Sequence, residues 1–221
     1  KKGYRVLRYD TYGRGWSDRP DKMYEAALFR SQLTELLSGL KLDTVYALCG
    51  VSFGGPVVTD FTIHNPGKVK NIIFVDPAFP WRSHFDNAEV VARYKLAISP
   101  EDMVNGQLTD LKYPDQFPYW GEQYKVEMQY KGFRNALVST RYHYIGEGGI
   151  KKNYVSLDSL HKPVLLIWGV ADKTVPFSYS DSLRQILHTE FFPVDDAGHL
   201  PQMEKAAEVN ERIAIFLAGK Q

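Results

Sequence analysis

The chain has 221 residues, 44% hydrophobic and 24% charged, with a formal net charge of +1. That length can bury about 70% of the unfolded surface in a sizeable core, and the balanced charge gives no reason to expect nucleic acid or a membrane surface as partner. Cys49 is the single cysteine, which excludes an intrachain disulfide and is compatible with a reducing compartment such as the cytoplasm. No run of about 18 apolar residues occurs, so no transmembrane helix is expected.

In chain order, Gly3 to Tyr9 (GYRVLRY) reads as a strand, and Asp10 to Pro20 (DTYGRGWSDRP) is dense in turn residues. Gly13 and Gly15 begin a dinucleotide-type spacing, but Asp18 holds the third glycine position and Pro20 bars an immediate helix. Met23 to Leu40 carries Leu28, Leu33, Leu36, Leu37 and Leu40 at helical spacing, which predicts an amphipathic helix. Thr44 to Leu48 predicts a buried parallel strand, with Cys49 expected as a small buried apolar residue. Pro56 to His64 has helical periodicity, and Asn71 to Val75 reads as a strand covered on both faces. This alternation predicts an open, mostly parallel α/β sheet with helices on both faces.

The rhythm breaks at Pro77-Ala78-Phe79-Pro80. From Trp81 to about His161 the sequence offers helical patches, Ala88 to Ile98 and Gln123 to Thr140, but no convincing buried strand. Alternation resumes with a strand at Pro163 to Trp168, a helix from about Ser178 to Leu187 and a strand at Thr189 to Val194, where Pro193 argues for an edge position. A helix over Leu200 to Leu217, with Pro201 in its first turn, closes the chain.

Between the strand ending near Leu48 and the next helix lies Gly50-Val51-Ser52-Phe53-Gly54. A serine on a sharp strand-to-helix turn needs small neighbours, and glycines on both sides of Ser52 are expected to be the only residues that fit. The turn also puts the Phe53 N–H and a helix N-terminus beside the hydroxyl, where an oxyanion would develop. The pentapeptide alone is a weak signal, and Ser52 needs partners elsewhere in the chain. A serine hydroxyl needs an adjacent base, and the base an orienting acid. Of six histidines, His64, His84, His143, His161 and His188 fall on helix ends, in the irregular middle segment or at a strand start. His199, in DAGHLP, follows a strand at its C-terminal end, where parallel sheets collect their active sites. Asp172 follows the strand before it and is the favoured acid; Asp76, at the end of the strand Asn71 to Val75, is the rival, and Asp195 and Asp196 are read as turn-capping residues.

With these residues in place the chain resembles the α/β-hydrolase superfamily, in which the triad runs Ser, Asp, His. The resemblance rests on Ser52 in GVSFGG, Asp172 in WGVADKTVP, His199 in DAGHLPQMEKAAEVN, and the opening YRVLRYDTYGRGWSDRP. It implies a hydrolase core over residues 1–80 and 162–221 and a helical cap over residues 81–161. Cap aromatics such as Trp81 and Trp120 would then line an apolar cleft. It further implies a serine esterase or lipase-like enzyme with catalytic Ser52, Asp172 and His199. A C–C bond, lactone or amide hydrolase of the same fold, or a non-catalytic binding protein, are the alternatives. No metal or organic cofactor is implied, and a small ester or lipid-like molecule is the expected partner. The family's first three strands, first helix and the glycine-containing loop after its third strand have no counterpart here. Only Phe53 can therefore be assigned to an oxyanion hole; loss of the third strand would leave Gly3 to Tyr9 apart from Thr44 to Leu48, so the expectation is that the sequence is partial, that the first strands are supplied otherwise, or that the sheet closes up.

Overall fold

The structure, a computed structural model, describes residues 3–79, 99–145 and 149–219. Trp81, His84 and the helical patch expected over Ala88 to Ile98 lie outside the described residues.

Four strands, β1 (Val45–Val51), β2 (Val69–Val75), β3 (Val164–Gly169) and β4 (Glu190–Val194), form one all-parallel sheet in the order β1-β2-β3-β4. Helices α1 (Ala26–Gly39) and α2 (Gly54–His64) flank β1 in the chain; α3 (Pro100–Leu108), α4 (Tyr119–Met128), α5 (Phe133–Thr140) and α6 (Gly149–Asp158) lie between β2 and β3. Helix α7 (Ser178–Arg184) joins β3 to β4, and α8 (Ala206–Ala218) ends the chain. Among the described residues no helix is long and apolar enough to cross a membrane.

The period-2 geometry of the strands divides the core in two. Ile72 and Phe74 of β2 and Val164, Leu166 and Trp168 of β3 face α1, α2, α6 and α7, through Leu33, Leu37, Val58, Phe61, Tyr154, Leu157 and Leu183. The alternate residues Ile73, Val75, Leu165 and Ile167 face α8, through Val209, Phe216 and Leu217. Covered on both sides, β2 and β3 read as continuous apolar runs.

The edges behave differently. Pro193 sits in β4, an outer strand, as expected, and costs the sheet no inner hydrogen bond. The other outer strand is β1, whose residues are mostly half-exposed rather than buried, and Cys49 is exposed. The expected burial of this strand fails because one of its sides has no neighbour among the described residues. For the same reason Gly3 to Tyr9 forms no strand: it runs without a ladder partner, Val6 is 86% and Leu7 50% exposed, and its contact with β1 is the stacking of Tyr4 on Tyr46 at 6.2 Å.

Two further expectations are corrected. The closing helix is broken at Lys205 (φ −125°, ψ 45°), which separates a single turn, Pro201–Glu204, from α8. The patch Gln123 to Thr140 is two helices, parted at Gly132 with φ 87°.

Candidate active site

Each of the four strands delivers one residue of interest just past its C-terminal end: Ser52 after β1, Asp76 after β2, Asp172 after β3 and His199 after β4. Ser52 has φ 49°, a conformation disfavoured for a residue with a Cβ and sustained only where its surroundings over-determine it. They do so here. The Ser52 N–H donates to Val75 O at 3.0 Å, and its carbonyl accepts from Gly55 N at 2.9 Å and Ala78 N at 2.8 Å.

The glycines around the turn are not equivalent. A Cβ on Gly50 would collide with the backbone of Gly54, and one on Gly55 would come within 2.5 Å of Pro77 Cβ, whereas one on Gly54 would meet nothing within 4 Å. The close approach expected on both flanks of Ser52 thus falls on Gly50 and Gly55. The Phe53 N–H stands at the start of α2, where helical N–H groups have no intrahelical acceptor. Its ring is held between Phe29 and Tyr144, each at 5.1 Å centroid separation.

His199 and Asp172 are brought together. His199 Nδ1 lies 2.8 Å from Asp172 Oδ2, and both side chains are almost wholly buried. A carboxylate only accepts, so Nδ1 carries the proton and Nε2 presents its lone pair. Asp172 Oδ1 accepts from Thr174 N at 2.8 Å and Val175 N at 2.9 Å, so three donors fix the carboxylate. The loop after β4 reaches it by folding back across the end of β3, where Ala171 N donates to Ala197 O at 2.9 Å.

Ser52 Oγ makes no hydrogen bond to His199 among the described residues; such bonds commonly tighten only when substrate is bound. Trp120 is half-buried on α4, with its indole Nε1 buried and unpartnered among the described residues. Of the other histidines, His64 Nδ1 lies 2.8 Å from Asp60 O, and His188 pairs with Asp158 at 2.8 Å.

Asp76 lies behind the pair. It is fully buried with φ 44°, its Oδ1 accepts the Gly169 N–H at 2.8 Å, and its Oδ2 is buried without a partner among the described residues. Burial, with the adjacent Asp172 carboxylate second, pushes its pKa well above the usual carboxylate range. Ligand atoms of Asp76, Asp172 and His199 lie within 4.8 Å of one another. His199 Nδ1 and Asp172 Oδ2 are committed to each other, however, and burial disfavours the charged form of Asp76.

Two supporting groups were not singled out by the sequence. Glu204 accepts from Gly198 N at 2.6 Å, Lys112 N at 2.8 Å and Tyr113 N at 3.1 Å, and the carbonyl of Asp110 accepts the His199 N–H at 2.7 Å. Glu204 follows His199 closely enough to be suspected as a loop anchor; nothing in the local sequence of Asp110 marks it. Asp196, read as a turn cap, has φ 60° and pairs with Lys112, Lys205 and the Tyr113 hydroxyl.

The model of the family described as "Alpha/beta hydrolase family" matches residues 1–212. Carboxylesterase YbfK of Bacillus subtilis is 25% identical over 224 residues, covering 98% of this chain and 72% of that protein. The 3-oxoadipate enol-lactonase 1 of Acinetobacter baylyi is 25% identical over 229 residues, covering 100% of this chain and 81% of that protein. Among solved structures, the meta-cleavage product hydrolase of Pseudomonas fluorescens superposes with a TM-score of 0.79 at 20% identity, covering 100% of this chain and 82% of that one. The four-stranded parallel sheet, the serine turn after β1 and the match along nearly the entire sequence agree: the chain belongs to the alpha/beta hydrolase family.

Proposed function

We propose that this protein is a serine hydrolase of carboxylic esters, working through Ser52, His199 and Asp172. Ser52 Oγ attacks the ester carbonyl as His199 Nε2 takes its proton, and Asp172 holds the imidazole in the Nδ1–H tautomer and stabilises the imidazolium. The Phe53 N–H and the N-terminus of α2 stabilise the oxyanion. His199 returns its proton to the leaving alcohol, an acyl-enzyme remains on Ser52, and water activated by the same base releases the acid.

The observation that carries this reading is the buried His199–Asp172 pair at 2.8 Å, whose one uncommitted nitrogen is an acceptor, on the same sheet edge as a serine at φ 49°. The name of the relative YbfK, a carboxylesterase, favours the ester over other bonds. In this proposal residues 81–161 form a cap over the core of residues 1–80 and 162–221, with Trp81 and Trp120 toward an apolar acyl cleft, and the partner is a small ester or lipid-like molecule. The second reading is a lactone or C–C bond hydrolase with the same nucleophile, favoured by the names of the enol-lactonase and the meta-cleavage product hydrolase.

Fluorophosphonate labelling of wild type and Ser52→Ala tests the mechanism: labelling lost in the variant supports it, and an unlabelled wild type leaves a binding protein instead. A chain-length series of acyl 4-nitrophenyl esters tests the bond, with faster turnover expected for chains longer than acetyl. Turnover of a lactone or a meta-cleavage product well above every ester would favour the second reading.

A further inference from the structure

The loop between residues 11 and 18 closes on itself, with Gly13 N donating to Asp18 O at 2.9 Å, Arg14 N to Thr11 O at 3.0 Å and Ser17 N to Arg14 O at 3.1 Å. It places the guanidinium of Arg14 against the ring of Phe53, 5.5 Å from Cζ to the ring centroid, and Phe53 is the residue next to Ser52. The two arginines of this loop are treated differently. Arg19 donates to Ser17 O and Gly15 O, both at 3.0 Å, and lies over Tyr130. Arg14 Nη1 is buried with no hydrogen-bond partner, and no carboxylate pairs with Arg14 among the described residues. The carboxylate of Glu127 accepts the N–H of the next residue, Gly15, at 3.1 Å.

The groups acting on the Arg14 charge are Tyr124, Tyr24, Arg141 and Arg19, so two of the four are themselves cationic. Burial first, then these arginines, draw its pKa down to about 10, which still leaves it charged at neutral pH. A half-buried cation with a buried, unmet N–H and cationic neighbours is costly unless an anion completes it, and a guanidinium fork fits a carboxylate in particular.

We propose that Arg14 is a specificity-determining residue that binds a free carboxylate on the substrate, so that the preferred substrate is an acidic ester carrying a second, unesterified carboxyl group. This rests on the serine-hydrolase reading above. The scissile carbonyl lies at Ser52 and Phe53, the remote carboxylate at Arg14, and the ring of Phe53 forms the apolar floor between them.

The test compares mono(4-nitrophenyl) half-esters of the straight-chain diacids, from succinate to suberate, each with the neutral 4-nitrophenyl ester of the same chain length. In wild type the ratio of kcat/KM, acidic over neutral, peaks at one chain length. At that length it falls about 10- to 100-fold in Arg14→Gln, the scale of losing a charged hydrogen bond. Arg14→Lys, which keeps the charge without the fork, lies between. A variant that is merely misfolded lowers both rates and leaves the ratio in place. Calorimetry with glutarate and adipate on wild type, Ser52→Ala and Arg14→Gln reads the same site without turnover. Binding to the first two and not to the third supports the proposal even if fluorophosphonate labelling shows that the hydrolase reading fails. Ratios equal within twofold in wild type and Arg14→Gln at every length, with no Arg14-dependent diacid binding, overturn it.

Discussion

Asp76 and Asp172, at the ends of adjacent strands, present two buried carboxyl groups side by side, and only Asp172 has N–H donors on both oxygens. Like charges so placed disfavour one another, and the pKa of Asp76 is raised by burial and then by Asp172. Because the folded-state pKa is raised, Asp76 stabilises the fold fully below its unfolded value, about 3.9. That contribution is lost as pH rises toward the folded value, at up to about 1.4 kcal/mol per pH unit. Asp76→Asn keeps an acceptor for the Gly169 N–H and removes the titrating group. Its urea midpoint is therefore expected to fall less than that of wild type as pH rises above the unfolded value. An equal fall in both proteins would contradict the raised pKa of Asp76.

Asp172→Asn retains an acceptor for Thr174 and Val175 but offers His199 an amide in place of a carboxylate, removing what selects the Nδ1–H tautomer. Ester turnover is expected to drop about 10³- to 10⁴-fold, the scale seen when a triad acid is neutralised, with fluorophosphonate labelling slowed in parallel. Unchanged turnover would move the role of the acid to Asp76.

The serine turn makes opposite predictions for neighbouring glycines. Gly55→Ala brings a methyl within 2.5 Å of Pro77 Cβ and 3.1 Å of the Tyr154 hydroxyl, and is expected to cost about 1–3 kcal/mol as overpacking. Gly54→Ala meets open space at a helical position and is expected to be neutral or to stabilise by up to about 1 kcal/mol. Thermal or urea unfolding of the two variants checks the order.

Glu204 ties three backbone N–H groups from two segments, Gly198 beside the histidine and Lys112-Tyr113 from the stretch between α3 and α4. Glu204→Ala leaves these donors to find other partners and is expected to cost about 1–3 kcal/mol. Ester turnover should fall with it, because His199 N–H donates to Asp110 of the same stretch. Turnover unaffected by Glu204→Ala would show that the loop holds His199 without that clamp.

Tyr154 is fully buried, packs its ring against Phe74 at 5.7 Å and donates its hydroxyl to Ala78 O at 3.0 Å. Tyr154→Phe is expected to lose about 1 kcal/mol and Tyr154→Ala about 3–5 kcal/mol in denaturant unfolding.

Periodicity was enough to locate β2, β3 and α1, because an inner strand must be apolar on both faces and a surface helix on one, and those demands are written into consecutive residues such as Asn71 to Val75. The same alternation put Ser52, Asp172 and His199 after strands, and the structure places each past a strand's C-terminal end. What sequence spacing could not contain was decided by packing across the chain. The exposure of β1 and Cys49, and the failure of Gly3 to Tyr9 to become a strand, depend on which strand stands beside which, a relation with no local signature. The raised pKa of Asp76 beside Asp172, the clamp that Glu204 places on a distant stretch, and the Arg14 Nη1 left without a partner among the described residues likewise arise only when segments remote in sequence share a low-dielectric volume. There the cost of an unmet charge or hydrogen bond is set by neighbours that the chain brings together by folding.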